Sequence, residues 1–157
     1  MPLCLYTMLS CGSTDLSPDS SGKYFIKAKL NGELVEYDVN ANFQNDPSRT
    51  LSATAFKSSS SNFPSLGFTI ESSEPISKKS YQETDPSINL IFVYSLAGSE
   101  SFNSQMGEEQ DFKIEVTEIN KEFVKGKFGG TIRKASGNNI NSSIEIKDGE
   151  FYLSKEQ

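Results

Sequence analysis

Chemistry in a chain is limited first by which reactive side chains it owns. The sequence has 157 residues, no histidine and two cysteines, Cys4 and Cys11. The usual general base and the commonest transition-metal ligand are therefore missing, and everything from residue 12 onward lacks a thiolate for nucleophilic or metal chemistry. What remains are hydroxyls and carboxylates. Ser20-Ser21-Gly22-Lys23 spells Ser-x-x-Lys, but that motif needs a helix to bring the lysine beside the serine, and these residues sit in a Ser/Gly/Pro/Asp-rich stretch. Asp85, Glu108, Glu109 and Asp111 are the carboxylates near turns that could hydrolyse a glycan, if two of them flanked a cleft at roughly 5 to 10 Å. No phosphate-binding loop, calcium loop or Gly-x-Ser-x-Gly elbow occurs. The expectation is a non-enzymatic protein without a cofactor, with a carboxylate-only glycan hydrolase as the alternative.

The more specific signal is Cys11. The run Pro2–Ser10 is apolar but far shorter than the roughly 20 residues that cross a bilayer, and it stops at Met8-Leu9-Ser10-Cys11-Gly12. This resembles a bacterial lipobox, which implies that the Cys11 sulfur takes a diacylglyceryl group and that the peptide is cut before it. Leu9 is bulkier than the residue usual at its place, and no Lys or Arg precedes the run. The missing basic start implies that the true initiation site lies upstream of Met1. Residues 1–10 then read as a signal-peptide remnant, 11–22 as the lipidated cysteine with a flexible tether, and 23–157 as one domain. A net charge of −6 argues against nucleic acid, whose affinity comes from clustered cations.

The body must be built of strands. Apolar residues alternate in KYFIKAKL and ELVEYDV around Asn31-Gly32, the preferred pair for a two-residue type I′ turn. That turn pairs Ile26 with Tyr37, Ala28 with Val35, Tyr24 with Val39 and Lys27 with Glu36. Applied to Asp148-Gly149, the same rule predicts a second hairpin with Ile146 opposite Phe151, Ile144 opposite Leu153 and Lys147 opposite Glu150. DFKIEVTE and EFVKGKFGGTI are predicted to pair with Val116 opposite Val124, Phe112 opposite Phe128 and Glu115 beside Lys125. Asn138-Asn139 supplies the next turn, which makes the C-terminal region a four-stranded meander. LSATAFK, LGFTIES and INLIFVYSL add strands, whereas Ser99–Glu109 reads as a loop. About eight strands with one apolar face each fit an antiparallel two-sheet β-sandwich, or alternatively a small lipocalin-like β-barrel carrying an apolar ligand.

VKGKFGGTI followed by IEIKDGEF, with Gly126, Phe128, Ile144, Ile146, Asp148, Gly149 and Phe151 at the marked positions, resembles the uncharacterised small β-sandwich lipoproteins of the Bacteroidetes type. The resemblance implies a β-sandwich anchored by lipid in the cell envelope, at the outer membrane, on its periplasmic or its outer face. It supplies no activity. The partners expected are therefore the membrane through Cys11 and a protein or glycan ligand.

Two surface features are candidates for contact. Phe43, Phe63, Tyr81 and Phe102 lie near irregular segments rich in Asn and Ser and could stack on sugars, although the chain has no Trp. Lys121, Lys125, Lys127, Arg133 and Lys134 form the one local excess of positive charge, and their alternation with Val124, Gly126 and Phe128 marks the solvated side of a strand. Gly129-Gly130 reads as a bulge.

Overall fold

The structure, a computed structural model, describes residues 24–46, 49–58, 64–97, 100–106, 110–135 and 142–155. The first ladder forms as its turn chemistry dictates as far as Tyr37, whereas Val39 begins the next strand and lies opposite Phe56, not Tyr24. β1 (Phe25–Leu30) and β2 (Glu33–Tyr37) pair with Ile26 opposite Tyr37, Ala28 opposite Val35 and Lys27 opposite Glu36, around Asn31 and Gly32 at φ of 49° and 87°. Both signs are what a type I′ turn requires. Asn31 also fixes the hairpin to its neighbour: its N–H donates to the Glu145 carbonyl and its Oδ1 accepts from the Glu145 N–H, each at 2.9 Å.

Nine further strands follow: β3 (Val39–Asp46), β4 (Thr50–Phe56), β5 (Ser65–Ser72), β6 (Ser80–Gln82), β7 (Ile88–Ser95), β8 (Ser101–Asn103), β9 (Lys113–Ile119), β10 (Phe123–Lys134) and β11 (Ser143–Lys155). The 11 strands lie in one hydrogen-bonded sheet of order β2-β1-β11-β3-β4-β5-β7-β8-β10-β9-β6, with a further β11–β10 pairing. The fold is all-β, with more strands than the alternation suggested. β6 and β8 are three residues each, too short to show a period, and β8 occupies part of the stretch read as a loop.

That extra pairing closes a circuit: β10 joins β11, β11 joins β3, and β3 leads through β4, β5, β7 and β8 back to β10. One layer holds β2, β1, β11, β10, β9 and β6, and the other holds β3, β4, β5, β7 and β8. At one corner the end of β11 pairs in parallel with β3, and at the opposite corner the end of β10 pairs with β8. The sheet is thus closed on itself, which is equally a sandwich with joined corners and a flattened barrel. Tyr94 on β7 lies beside Tyr37 on β2, and burial with that neighbour raises the Tyr37 pKa and keeps the phenol neutral.

The Asp148-Gly149 hairpin is not formed. β11 runs straight through this dipeptide, between β1 on one side and β10 on the other. Ile146 lies opposite Leu30 and Gly130, and Phe151 opposite Ile26 and Gly126. Only Asp148 has positive φ, 50°, where a type I′ turn needs two such residues. Asp148 is instead the extra residue of a β-bulge, marked by register shifts in both flanking ladders. Gly149 is required by contact: a Cβ there would collide with the Phe128 ring, and one on Gly126 would collide with the Phe151 ring. The cross-strand pairs Gly126–Phe151 and Phe128–Gly149 therefore lay each ring over a bare backbone, the aromatic rescue of strand glycines.

β9 and β10 do form a hairpin, in a different register. Val124 lies opposite Ile119, Gly126 opposite Val116 and Phe128 opposite Ile114. The Asn120 Oδ1 accepts the Glu122 and Phe123 N–H groups at 2.8 and 3.0 Å, closing the turn sooner than strand pattern alone indicates. A bulge between Lys125 and Gly126 makes up the rest. The C-terminal region is accordingly a three-stranded meander, β9-β10-β11, and the Asn138-Asn139 turn lies outside the described residues. The register shift between Phe128 and Gly130 is the Asp148 bulge of β11 met from the other side: Gly129 alone faces Lys147 and Asp148, so the extra residue is not in the Gly129-Gly130 pair where the sequence predicts a bulge.

The core is a chain of touching rings between the layers. Phe112 stacks on Phe92 at 4.7 Å, Phe92 on Phe128 at 4.9 Å, Phe128 on Phe151 at 6.5 Å, and Phe151 meets Phe68 at 4.9 Å. Each such ring contributes about 1.5–3 kcal/mol through burial. These rings belong to one buried cluster that also takes in Ile26, Leu51, Ile70, Leu90 and Leu153.

Candidate functional site

Three of the four rings proposed for stacking are strand residues that face the core. Tyr81 on β6 is 1% exposed; its hydroxyl donates to the Ser77 carbonyl at 3.0 Å and accepts the Ser77 N–H at 2.8 Å. Phe102 on β8 is 6% exposed and lies against Tyr94. Phe43 on β3 is also buried, but it lines a pocket of about 300 Å³ with Ile76, Ile119, Asn120, Lys121 and Lys155. Phe63 lies outside the described residues, as does Cys11. Among the described rings, Phe43, Tyr81 and Phe102 make no ring contact with one another.

The carboxylates separate into distinct jobs. Asp85 closes its own turn, accepting the Ser87 N–H at 2.9 Å and its hydroxyl at 2.7 Å, and these bonds hold it below the usual carboxylate range. Asp111 accepts the Thr131 N–H at 3.0 Å and its hydroxyl at 2.9 Å, tying the segment before β9 to β10. Glu108 and Glu109 lie outside the described residues. Among the described residues the carboxylate whose pKa is raised is Glu83, which no sequence motif marks. Burial raises its pKa and the Asp111 carboxylate adds to this, while the Ser104 hydroxyl and the Phe112 N–H pull the other way. Its Oε2 accepts the Phe112 N–H at 3.3 Å, and its Oε1 is buried without a hydrogen-bond partner among the described residues. Nothing in Gln82-Glu83-Thr84 distinguishes this acid from a solvated one; the pairing of β6 with β9 is what carries it under Phe112. Among the described residues, no group of three or more metal-binding side chains converges.

The basic hairpin resolves into neighbours of opposite charge. Lys125 reaches Glu118 at 3.7 Å and lies over the rings of Phe123 and Tyr152, and Lys134 pairs with Glu100 at 2.5 Å. Lys127 stands opposite Glu115 and Glu150 in its two ladders. Lys121, at the turn, faces the pocket floored by Phe43.

A different surface has the geometry of a binding site. In β4, TLSATAF turns Leu51, Ala53 and Ala55 inward, which sends Ser52, Thr54 and Phe56 outward; in β5, Leu66, Phe68 and Ile70 go inward and Ser65, Gly67 and Thr69 outward. With Asn40, Asn42 and Gln44 of β3 beside them, and Ile91 and Val93 of β7 on the far side, these residues line a shallow trough. One part, between Asn40, Asn42, Gln44, Ser52, Thr54 and Phe56, has a volume of about 550 Å³; the adjoining part, over Gly67, has about 200 Å³. The hydroxyls of Ser52 and Thr69 hydrogen-bond across the ladder at 3.1 Å. Among the described outward residues of β4, β5 and β7, the one charged side chain is Glu71, at the end of the trough, where it accepts from Asn89 at 2.9 Å. Such a surface offers donors, acceptors and small apolar patches with no ionic demand, which suits a neutral, polyhydroxylated ligand.

No protein-family model matches the sequence, and comparison with the curated proteins and with the solved structures found no significant match to either.

Proposed function

We propose that this protein is a binding module of the cell envelope, anchored at the outer membrane by lipid on Cys11, which takes a neutral glycan in the trough on β3, β4, β5 and β7. The uncharged lining of that trough carries the proposal. Asn and Gln amides and Ser and Thr hydroxyls supply the directional bonds that sugar hydroxyls need, while Phe56, Ile91 and Val93 offer apolar surface to sugar C–H faces. The trough is shallow, so a single site should be weak, with Kd on the order of 1 mM, equivalent to about −4 kcal/mol. A lipid anchor suits such weakness, because an array of tethered copies binds a polymer with avidity.

The decisive experiment has two arms. Labelling of cells with a palmitate analogue should mark the parent chain and leave Cys11→Ala unmarked. Titration of neutral oligosaccharides into the Cys11→Ala chain, followed by amide chemical shifts, should move residues of β3, β4 and β5 together. Equal labelling of both forms overturns the anchor, and shifts confined to other strands overturn the trough.

The hydrolase alternative has one specific observation in its favour, the raised pKa of Glu83, which would suit a proton donor. Its support is weaker, since Glu83 and its neighbour Asp111 both accept hydrogen bonds from backbone N–H groups. Glycan cleavage that disappears in Glu83→Gln, with the trough still binding, would favour it.

A further inference from the structure

The described chain begins at Tyr24, and the residues gathered around that point are unusual for an acidic protein. Tyr24 lies 4.8 Å from Tyr152, and Phe25 opposite Tyr152 and Phe123 opposite Ser154 put the start of β1, the start of β10 and the end of β11 at one end of the sandwich. The turn between β9 and β10 is joined to the end of β11 there, through the Lys155 N–H donated to the Glu122 carbonyl at 2.8 Å. Beside this junction opens the pocket of about 300 Å³, with Phe43, Ile76 and Ile119 as its apolar wall and Asn120, Lys121 and Lys155 at its rim. Neither Lys121 nor Lys155 forms an ion pair with a carboxylate among the described residues, whereas the neighbouring Lys125 is held by Glu118. Glu122 is the one acid of the turn itself.

Two ammonium groups with no carboxylate partner among the described residues, above an apolar wall on a chain of net charge −6, complement an anionic group that carries hydrocarbon. This is also the end at which the segment from Cys11 joins the fold. We infer that the pocket docks an anionic lipid of the membrane that holds the protein, with the phosphate against Lys121 and Lys155 and the start of an acyl chain along Phe43, Ile76 and Ile119. The inference rests on the reading of Cys11 as the lipidated residue. The tether, residues 12–22, spans at most about 3.5 Å per residue, so the anchor holds this end within a few nanometres of the headgroups. Docking then fixes the strands upright on the surface and leaves the outer faces of both layers open to the surroundings.

The test uses the full chain with Cys11→Ala, so that no acyl group contributes. Co-sedimentation with vesicles of phosphatidylglycerol in phosphatidylcholine should exceed that with phosphatidylcholine alone. The advantage should fall about fivefold for each lysine neutralised, so Lys121→Gln with Lys155→Gln loses roughly 25-fold. Lys121→Arg with Lys155→Arg should keep it, as should Lys29→Gln with Lys147→Gln toward the other end of β1 and β11. Equal binding to both vesicles, an unaltered double Gln variant, or an equal loss in the distal pair overturns the inference. So does binding of glycerol phosphate in solution without binding to vesicles. A failed anchor shows instead as an unlabelled Cys11 in cells, with the lysine-dependent vesicle result intact.

Discussion

The outer faces of the two layers are made to different rules although they enclose the same core. On the β1, β9, β10 and β11 side, outward positions are Lys, Glu and aromatic residues: Lys27 meets Glu150 at 3.1 Å, Lys29 meets Asp148 at 2.8 Å, and Phe123 and Tyr152 lie under Lys125. On the β3, β4, β5 and β7 side the residues of the trough are Asn, Gln, Ser, Thr, Gly and apolar groups, and Glu71 is the one charged outward residue among those described on β4, β5 and β7. Charged outward positions keep a strand solvated and resist unwanted pairing, so their absence from the described lining of the trough is a choice that solubility alone does not explain. Under the proposed function, the contrast would give maintenance of the fold to the charged layer and recognition to the neutral one.

The largest expected effect tests the first half of that assignment. Phe128→Ala removes a ring that touches Phe92 and Phe151 and shields Gly149, and should cost about 4 kcal/mol in urea denaturation. Gly149→Ala drives a methyl into the same ring and should cost about 2 kcal/mol. Changes at Thr54 or Thr69, on the neutral layer, should stay near 1 kcal/mol or below. Comparable losses on both layers would erase the distinction.

Next in size is the effect on binding. Thr54→Lys places a cation in the middle of the trough and should weaken glycan binding more than tenfold, about 1.4 kcal/mol, with stability changed by no more than about 0.5 kcal/mol. Lys27→Thr on the other layer should leave that titration unaltered. Binding that survives Thr54→Lys would send the search to another surface.

Glu83 gives a pH dependence opposite in sign to that of the charged face. Its folded pKa is raised, so from its ordinary value near 4.5 up to the folded value the native state holds a proton that the unfolded chain has released. Stability from this group is therefore greatest below 4.5 and declines through that window as pH rises. Asp148, held low chiefly by the Lys29 hydrogen bond and charge, works the other way: its contribution is present above 3.8 and is lost as pH falls through the lower folded value. Thermal melts across this range should show the alkaline-side decline disappear in Glu83→Gln and the acid-side decline shrink in Asp148→Asn.

Local chemistry was legible in the sequence wherever local chemistry decides. Asn31-Gly32 makes a hairpin because both residues take the positive φ of its turn and β2, at the end of the strand order, has β1 as its ladder partner, and the alternation of INLIFVYS places Ile88, Leu90, Phe92 and Tyr94 inward. Asp148-Gly149 has the same signature and a different fate, because β1 and β10 both outcompete a fold-back of β11 onto itself. Rings read as loop residues, Tyr81 and Phe102, lie on strands too short for a period to register. The trough was invisible for another reason: outward Ser and Thr are ordinary on any one strand, and only the adjacency of β3, β4, β5 and β7 turns them into a surface.

The smallest effects lie in the ion pairs themselves, and salt distinguishes the two layers most cleanly. The Lys27–Glu150 pair is partly exposed, and a double-mutant cycle should return about 0.2–1 kcal/mol, diminishing at high ionic strength. The glycan binding proposed for the trough should have no such dependence to lose, since its lining carries no charge for a ligand to neutralise. Vesicle binding through Lys121 and Lys155 should fall steeply under the same salt. One titration series in added salt thus sorts the three surfaces by mechanism: unchanged at the trough, a small loss of stability from the charged face, and a large loss of affinity at the lysine-rimmed end. A glycan affinity that fell with salt would mean that the neutral face is not where the ligand sits, whatever the shape of the trough.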